Sequence, residues 1–382
     1  MSVATCMVSC MLIDCDIHVG YETLRDLVPY LDGATAEIVE QSGTNGLGMP
    51  SYPWYHPTGW LRGDAYDGAA AASGAQLVGQ TLERVRAMVL DPFDLTFGIL
   101  TPDEAAAFAI LPNARLAAAL CRGYNDWLLT EWLEREPRLR GLLVVTPQHP
   151  DAAAAEIRRL GEREEIAGVF LPGAARVPYG SPVHDPVWQA CDELALPVAI
   201  HTHFEGVGIG GPVTAAGMPD FYTEYHALTG AGMLGHLASI LCHGVFERFP
   251  RTRVMLMEGG LVPFVGLLWR LDTAWRGCRT EVPYCVRPPS EYVHEHLAWT
   301  TQPLEEPPNQ RLLVPALEGL SPWRTLCFSS DYPHWDFDDP RQTLARLPGE
   351  WREAIAHENA ARFFALPVSQ SPPTPSSVPT PV

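Results

Sequence analysis

Four polar side chains follow a short apolar run near the C-terminal end of the sequence, and their types suit metal binding or proton transfer. The run covers residues 326–328, and Ser329, Ser330, Asp331 and His334 come after it. Such a run predicts a short strand buried on both faces. Parallel α/β folds hold their active sites at the carboxyl ends of such strands. Ser-Ser-Asp also suits a helix N-cap, so this stretch alone leaves a site and a cap as alternatives.

Polar residues also end three other apolar runs. Asp16 and His18 close the first run of the chain, His201 and His203 close a later one, and Glu258 closes a third. Alternation along a strand places Asp16 and His18 on the same side, where both can reach one ion. Taken alone, that pair equally suits a cap or a salt bridge.

The combined set of residues is typical of a metal centre. Two or more imidazoles with one or two carboxylates suit a first-row divalent ion. We therefore expect one divalent metal ion, with zinc as the first choice and manganese as the alternative. An open coordination position would accept water or a chelating oxygen of a substrate.

Short apolar runs alternate with helical patterns along the whole chain, which predicts an α/β fold of the (β/α)8 TIM-barrel type with long active-site loops. The eight expected strands cover about residues 8–18, 96–101, 142–146, 167–171, 196–203, 253–257, 297–302 and 326–328. In such a barrel the ends of strands one, five, six and eight meet at one mouth. A doubly wound open sheet is the alternative, but no G-x-G-x-x-G follows an early strand.

The domain organisation follows from the same pattern. Residues 1–366 are expected to form one barrel domain, and residues 20–75 an irregular insertion typical of a lid or binding loop. Trp54 and Trp60 in that insertion would either line a substrate pocket or pack the loop against the barrel. Residues 367–382 are rich in Pro, Ser and Thr and carry no charged side chain, which predicts a disordered tail.

A helical pattern over residues 221–249 carries three further histidines. His226, near its start, is placed to lie beside a substrate. His236 and His243 are seven residues apart on one helical face, which favours core packing or an interface over a role at the mouth. Among the residues after strand eight, His334 is expected to orient a metal ligand without binding the ion itself.

Composition and charge exclude several classes of function. Hydrophobic residues make up 47% and charged residues 19% of the 382 residues, as in globular proteins. The formal net charge of −19 disfavours nucleic acid and membrane surfaces as partners. Nine cysteines without CxxC spacing indicate reduced thiols, and neither a signal peptide nor a membrane span is recognisable. We expect a cytoplasmic protein with a small-molecule substrate; a homo-oligomer is compatible with the sequence.

Several of these motifs resemble the amidohydrolase superfamily, in particular the branch that includes aminocarboxymuconate semialdehyde decarboxylase and the hydroxybenzoate decarboxylases. The resemblance extends over about residues 12–366. It rests on the segments 13–18 (IDCDIH), 197–201 (PVAIH), 287–292 (RPPSEY), 300–303 (TTQP), 329–334 (SSDYPH) and 358–363 (ENAARF). In that family the strand-one pair, the strand-five histidine and the strand-eight aspartate hold the metal. By resemblance these roles fall on Asp16, His18, His201 and Asp331.

Two positions depart from the family pattern. Asp16 stands where histidine or glutamate is commoner, and aspartate is one methylene shorter than glutamate, so weak or water-mediated metal binding is expected there. Glu258 stands where the family often has an acid–base histidine. The second departure leaves the reaction type open.

The resemblance implies a metal-dependent decarboxylase that acts on a small carboxylated, oxygenated aromatic or enal substrate. Asp331, Glu258 and His226 are the candidates for proton transfer. One alternative is a metal-dependent hydrolase of an amide, lactone or ester. The other is a metal-binding barrel without catalytic activity.

Overall fold

Eight parallel strands in sequence order form the sheet of the protein, in a computed structural model that describes residues 11–42, 62, 81–202 and 204–367. The strands are β1 (Ile13–Val19), β2 (Phe97–Pro102), β3 (Leu139–Val144), β4 (Ile166–Pro172), β5 (Val198–His201), β6 (Val254–Met257), β7 (Leu297–Thr300) and β8 (Leu326–Cys327). Nearly all of their residues are buried, as in strands covered by helices on one side and by a barrel core on the other. The predicted (β/α)8 barrel is confirmed.

Backbone hydrogen bonds join the segment around β8 to β1 and complete the ring. Cys15 N donates to Phe328 O at 2.9 Å, and Asp331 N donates to Asp16 O at 3.1 Å. Asp14 adds a side-chain link, because its Oδ1 accepts from Ser330 N at 2.9 Å. The two chain segments that carry the polar motifs are therefore held side by side.

A bulge interrupts β1 at the functional motif. Asp14 pairs with Gly98 and Ile17 pairs with Leu100, so β1 has one more residue than β2 between these two pairs. The extra residue bends the strand and changes the direction of its side chains. Asp16 lies within this bulge, between the start of β1 and its carboxyl end at the barrel mouth.

Helices connect the strands. The α-helices are α1 (Gly33–Ser42), α2 (Leu82–Val85), α3 (Ala114–Glu131), α4 (Pro150–Leu160), α5 (Asp185–Leu194), α6 (Tyr222–Ala227), α7 (Ala231–Cys242), α8 (Val245–Arg248), α9 (Val262–Cys278), α10 (Val293–His296), α11 (Leu313–Leu317), α12 (Pro322–Thr325), α13 (Pro340–Ala345), α14 (Gly349–Glu353) and α15 (Asn359–Phe364). π-Helical turns follow α2 at Arg86–Leu90 and α14 at Ala354–Glu358. Short 3₁₀ segments lie at Leu24–Tyr30, Glu104–Ile110, Leu133–Arg135, Pro182–His184, Pro289–Tyr292, Gln310–Leu312 and Glu318–Leu320.

The part of the predicted irregular insertion that the structure describes is regular, so that prediction was wrong for residues 24–42. A 3₁₀ segment at Leu24–Tyr30 precedes α1. The carboxylate of Asp32 accepts from Thr35 N at 2.9 Å, which is N-capping geometry. Residues 43–61 and 63–75 of the insertion, which include Trp54 and Trp60, lie outside the described residues, as do His203 and residues 368–382.

The helical pattern predicted over residues 221–249 is three helices, because glycine interrupts it twice. Gly230 has φ +83° and Gly244 has φ +60°, a region that other residues rarely adopt. A Cβ atom on Gly230 would also lie 2.6 Å from the backbone of Gly259. The interruption after α6 lets that short helix take its own direction.

Two sequence expectations concern the covalent and membrane state. The described cysteines are all free thiols, as the reduced state requires. Among the described residues, no helix is long and apolar enough to cross a membrane.

Candidate metal centre

The four predicted metal ligands lie together at the carboxyl-end mouth of the barrel. Asp16 and His18 come from β1, His201 ends β5, and Asp331 follows β8. Their side chains are at most 1% exposed. Three strands that are far apart in sequence thus converge on one buried polar cluster.

The carboxylate of Asp16 lies between two imidazoles. Its Oδ2 is 3.1 Å from His201 Nε2, and its Oδ1 is 3.3 Å from His18 Nε2. On the other side, His18 Nε2 is 3.0 Å from Asp331 Oδ1. One donor atom from each of Asp16, His18 and His201 lies within 4.8 Å of the other two, a separation that one ion can bridge.

Two carboxylate oxygens suit a cation directly. Asp16 Oδ1 and Asp331 Oδ2 are buried, and neither accepts a hydrogen bond from any residue in the described part of the chain. Buried carboxylate oxygens require a compensating partner. A divalent cation fits this donor set of two imidazoles and two carboxylates.

The charges in the cluster shift the ionisation of its members. Burial opposes protonation of His201, but the carboxylates of Asp16 and then Glu258 outweigh it and raise the pKa of His201 to about 9. Burial, followed by the charges of Asp336 and Asp16, raises the pKa of Asp331 well above its ordinary value. The site therefore concentrates negative charge that a cation would neutralise.

Asp331 is held by a histidine on its outer side. His334 Nδ1 donates to Asp331 Oδ1 at 2.7 Å, and His334 Nε2 lies 4.0 Å from Asp103 Oδ2. Asp331 itself has φ +58°, a strained conformation for a residue with a Cβ. His334 thus lies between Asp331 and Asp103, a position from which it can orient the carboxylate of Asp331.

Glu258 stands at the edge of the cluster. Its Oε2 is 3.5 Å from His201 Nε2, and the side chain is 15% exposed. The backbone turns sharply there, with φ +56° at Glu258 and +68° at Gly260, and Glu258 N donates to Thr300 Oγ1 at 3.0 Å. Burial, and then the charge of Asp331, raises the pKa of Glu258 well above its ordinary value.

The structure brings His226 to a second polar group beside the mouth. His226 Nε2 lies 3.0 Å from Asp336 Oδ2, and Gln302 Nε2 donates to the same oxygen at 2.9 Å. The indole of Trp335 and the phenol ring of Tyr222 flank the imidazole of His226, with ring centroids 5.3 and 5.6 Å away.

His236 and His243 do not share an environment. His236 is buried, whereas His243 is exposed at the end of α7. Core packing was therefore right for His236 and wrong for His243, because α7 ends at Cys242 and the chain turns away at Gly244. An interface role for His243 stays a prediction.

Sequence reasoning missed three polar residues near the mouth: Asp103, Gln302 and Asp336. Asp103 and Gln302 each come within two residues of a strand end, the same signal that identified the metal ligands. Asp336 carries no such signal, because it lies five residues beyond Asp331 in a loop whose path the sequence does not specify.

The same sequence matches the family model for amidohydrolases over residues 13–366. The gamma-resorcylate decarboxylase of Rhodococcus jostii is 27% identical over 310 residues, covering 75% of this chain and 88% of that protein.

Two solved structures share the fold. The 5-carboxyvanillate decarboxylase of Sphingomonas paucimobilis aligns with a TM-score of 0.65 at 22% identity, over 94% of this chain and 100% of that one. A dihydroxybenzoic acid decarboxylase from a Polaromonas species, with bound manganese and the inhibitor 2-nitroresorcinol, aligns with a TM-score of 0.62 at 19% identity, over 94% and 98% of the two chains. The barrel, the ligand arrangement at its mouth and the family match over most of the sequence agree, and this chain belongs to the amidohydrolase family.

Proposed function

We propose that the protein is a metal-dependent decarboxylase, which releases carbon dioxide from a small aromatic carboxylic acid with an oxygen substituent next to the carboxylate. The observation that carries this proposal is the position of Glu258. Its carboxyl group stands 3.5 Å from His201 at the edge of the His/Asp cluster, so a proton donor and a cation site face the same space. Protonation of a ring carbon next to a bound carboxylate needs that pairing.

The relatives support the same substrate class. Relatives identified from sequence include gamma-resorcylate decarboxylases, and the related Polaromonas structure holds manganese together with a substituted resorcinol. We propose manganese or zinc as the ion here, because imidazole and carboxylate ligands suit both.

Each residue of the centre has a role in this reaction. A divalent cation held by Asp16, His18, His201 and Asp331 would supply positive charge for the substrate's carboxylate and its neighbouring oxygen. Glu258 gives a proton to the ring carbon as the bond to the carboxylate breaks, and Asp331 is the alternative donor. One proton is consumed for each carbon dioxide released, so the donor must be reprotonated before the next turnover.

The sequence itself excludes another route to decarboxylation. Some decarboxylases form a Schiff base between a lysine and a carbonyl group of the substrate. The sequence contains 26 arginines and no lysine. The electron pair left by carbon dioxide must therefore be stabilised without a lysine imine.

The test is a reaction screen on protein loaded with manganese or with zinc. Hydroxylated and methoxylated benzoates are supplied, and carbon dioxide release and the loss of ring-acid absorbance are followed. Anilides, lactones and aryl esters of the same ring systems are supplied in parallel to detect hydrolysis.

We expect metal-dependent carbon dioxide release from at least one ortho-hydroxylated acid, and none from its meta-hydroxylated isomer, because only the ortho oxygen can share a cation with the carboxylate. Hydrolysis of the amides or lactones without carbon dioxide release would replace the proposal with a hydrolase. Bound metal without either activity would favour a non-catalytic barrel.

A further inference from the structure

A carboxylate from the loop after β7 binds the chain segment that follows Glu258. Glu305 Oε1 accepts hydrogen bonds from Leu261 N and Val262 N, each at 2.8 Å. Glu305 lies 44 residues beyond Leu261 in the sequence, so the contact joins the loop after β7 to the loop after β6. Both loops lie at the carboxyl end of the barrel, where the metal centre is.

The start of α9 lacks a capping group of its own. Leu261 stands at the N-cap position, and its aliphatic side chain cannot accept a hydrogen bond. The first turn of the helix contains no acidic residue. N–H groups at the beginning of a helix have no partner inside it, and the helix dipole favours a carboxylate there. Glu305 supplies the missing acceptor from another loop.

The turn between Glu258 and Leu261 is short and strained. Only Gly259 and Gly260 separate these two residues. Glu258 has φ +56° and Gly260 has φ +68°, and a residue with a Cβ adopts such a conformation only where its surroundings hold it there. A Cβ atom on Gly260 would lie 3.1 Å from Glu305 Oε1, so the carboxylate of Glu305 lies directly against the turn.

Three contacts fix this turn along its length. At its start, Glu258 N donates to Thr300 Oγ1 at 3.0 Å. In its middle, the backbone of Gly259 lies against Gly230, where a Cβ atom would approach it to 2.6 Å. At its end, Glu305 binds the two N–H groups of α9. Glu305 is the member of this set whose charged side chain comes from outside the strands and helices that meet there.

The turn determines where the carboxyl group of Glu258 stands. Its Oε2 lies 3.5 Å from His201 Nε2, at the edge of the metal centre. A proton donor displaced by about 1 Å from the reacting carbon can lose a large part of its rate advantage. Resting on the decarboxylase function proposed above, with Glu258 as its proton donor, we propose that Glu305 is a positioning residue for this proton transfer. By holding the start of α9, it keeps the carboxyl group of Glu258 at the metal centre.

A positioning residue and a simple helix cap predict different results. A cap stabilises the folded protein whatever side chain stands at position 258. A residue that acts through Glu258 loses its effect on the rate once the acidic proton of Glu258 has been removed. A double-mutant cycle that combines changes at the two positions therefore separates the two roles.

The experiment measures kcat, KM, metal content and melting temperature for Glu305→Ala, Glu258→Gln and the double variant, with an ortho-hydroxylated benzoate that the wild type decarboxylates. We expect Glu305→Ala alone to lower kcat by about 10-fold, because the donor is displaced and not removed. KM and metal content should stay near those of the wild type. In the Glu258→Gln background the same change should lower kcat by less than about 2-fold, while the melting temperature falls equally in both backgrounds.

Conservative and neighbouring changes serve as controls. Glu305→Gln keeps an oxygen for the two N–H donors and should recover most of the lost rate. Glu306→Ala changes the adjacent glutamate, whose side chain is 70% exposed and pairs with Arg346 at 2.8 Å, and should match the wild type. Where Glu305→Ala does not fold, Glu305→Asp, which withdraws the carboxylate by one methylene, replaces it in the same cycle.

The outcomes separate this inference from the function on which it rests. Absence of carbon dioxide release by the wild type overturns both. An active wild type with an unaffected Glu305→Ala variant overturns only the positioning role. So does an equal loss of kcat from Glu305→Ala with and without Glu258→Gln, because Glu305 then acts independently of Glu258. A fully active Glu258→Gln variant likewise overturns the positioning role, while the decarboxylase function is kept.

Discussion

Two buried histidines in this barrel illustrate how the same side chain acquires opposite properties. His201, at the mouth, has Asp16 Oδ2 3.1 Å from its Nε2, and its pKa is raised to about 9 against the effect of burial. His236, on α7, has Nε2 2.8 Å from Gly173 O and accepts from Tyr179 N through Nδ1 at 3.3 Å. Burial lowers the pKa of His236 to about 4.

The degree of burial does not explain this difference, because His201 is 0% and His236 only 6% exposed. The partners decide it. Backbone groups use both ring nitrogens of His236 and fix a neutral imidazole, whereas a carboxylate at His201 favours positive charge at the same place. His296 shares part of this arrangement, since its Nδ1 lies 2.8 Å from Thr252 O and burial lowers its pKa, although Glu295 Oε2 lies 3.6 Å from its Nε2.

The comparison gives a criterion for function within this fold. Histidines saturated by the backbone hold helices to the barrel, and histidines facing carboxylates at strand ends can hold a cation. The predictions that follow test whether these two groups can be separated by experiment, beginning with the largest expected effect.

Removal of the mouth histidines should abolish metal binding. We expect His18→Ala combined with His201→Ala to reduce bound metal from about one ion per chain to almost none and to eliminate turnover, because half of the donor set is lost. Elemental analysis and circular dichroism measure metal and fold. His236→Gln is the contrasting variant and should keep its metal; equal metal loss in both proteins would invalidate the distinction.

Much of this distinction could be predicted from sequence, and the reason is periodicity. Short buried strands with polar ends place Asp16, His18 and His201 at one edge once a barrel is assumed, and Asp331 follows shortly after β8. The family resemblance selected these four residues as the ligands. The structure places all four there, and the barrel itself is confirmed.

Features that depend on loop paths could not be predicted in this way. Asp336 reaches His226 only because the loop after β8 returns across the mouth. The breaks at Gly230 and Gly244 depend on positive φ values. The sequence does not show whether a glycine within a helical pattern is helical or has a positive φ. Helix α1 was missed because residues 20–75 were interpreted as one irregular insertion, and the capping contact from Thr35 N to Asp32 became visible only in the structure.

Replacement of Asp331 by asparagine should reduce activity more than it reduces metal content. The amide keeps an oxygen for the ion but loses the negative charge beside it, and the change also removes the alternative proton donor. We expect kcat to fall by about 10³-fold while at least half of the metal remains in elemental analysis. If metal and turnover fall in proportion, Asp331 acts only as a ligand.

Replacement of Glu258 by glutamine should give a smaller loss. Glutamine keeps the shape at this turn but removes the acidic proton, so kcat should fall by about 10²-fold. Because Glu258 is not among the four proposed ligands, metal content and melting temperature should be unchanged. A fully active Glu258→Gln variant would transfer the role of proton donor to Asp331.

The backbone-bonded histidine should affect acid stability and leave catalysis intact. The pKa of His236 is about 4 in the folded protein and about 6.5 in an unfolded chain. A folded-state pKa below the unfolded value means that the unfolded state binds the proton more tightly, so stability is complete above pH 6.5 and is lost as pH falls towards 4. The difference corresponds to about 3 kcal/mol.

His236→Gln isolates this contribution. The amide nitrogen of the introduced glutamine can still donate to Gly173 O, but the amide does not titrate. Urea unfolding between pH 7 and 4 should show the wild type losing about 3 kcal/mol more than the variant, while the variant starts about 1 kcal/mol less stable at pH 7. All other titrating groups are common to both proteins and cancel in the difference. His243→Gln, at an exposed position, should follow the wild-type curve within about 0.5 kcal/mol. Parallel curves for the wild type and His236→Gln would mean that the buried imidazole accepts a proton without cost, and that backbone bonding does not distinguish the two groups of histidines.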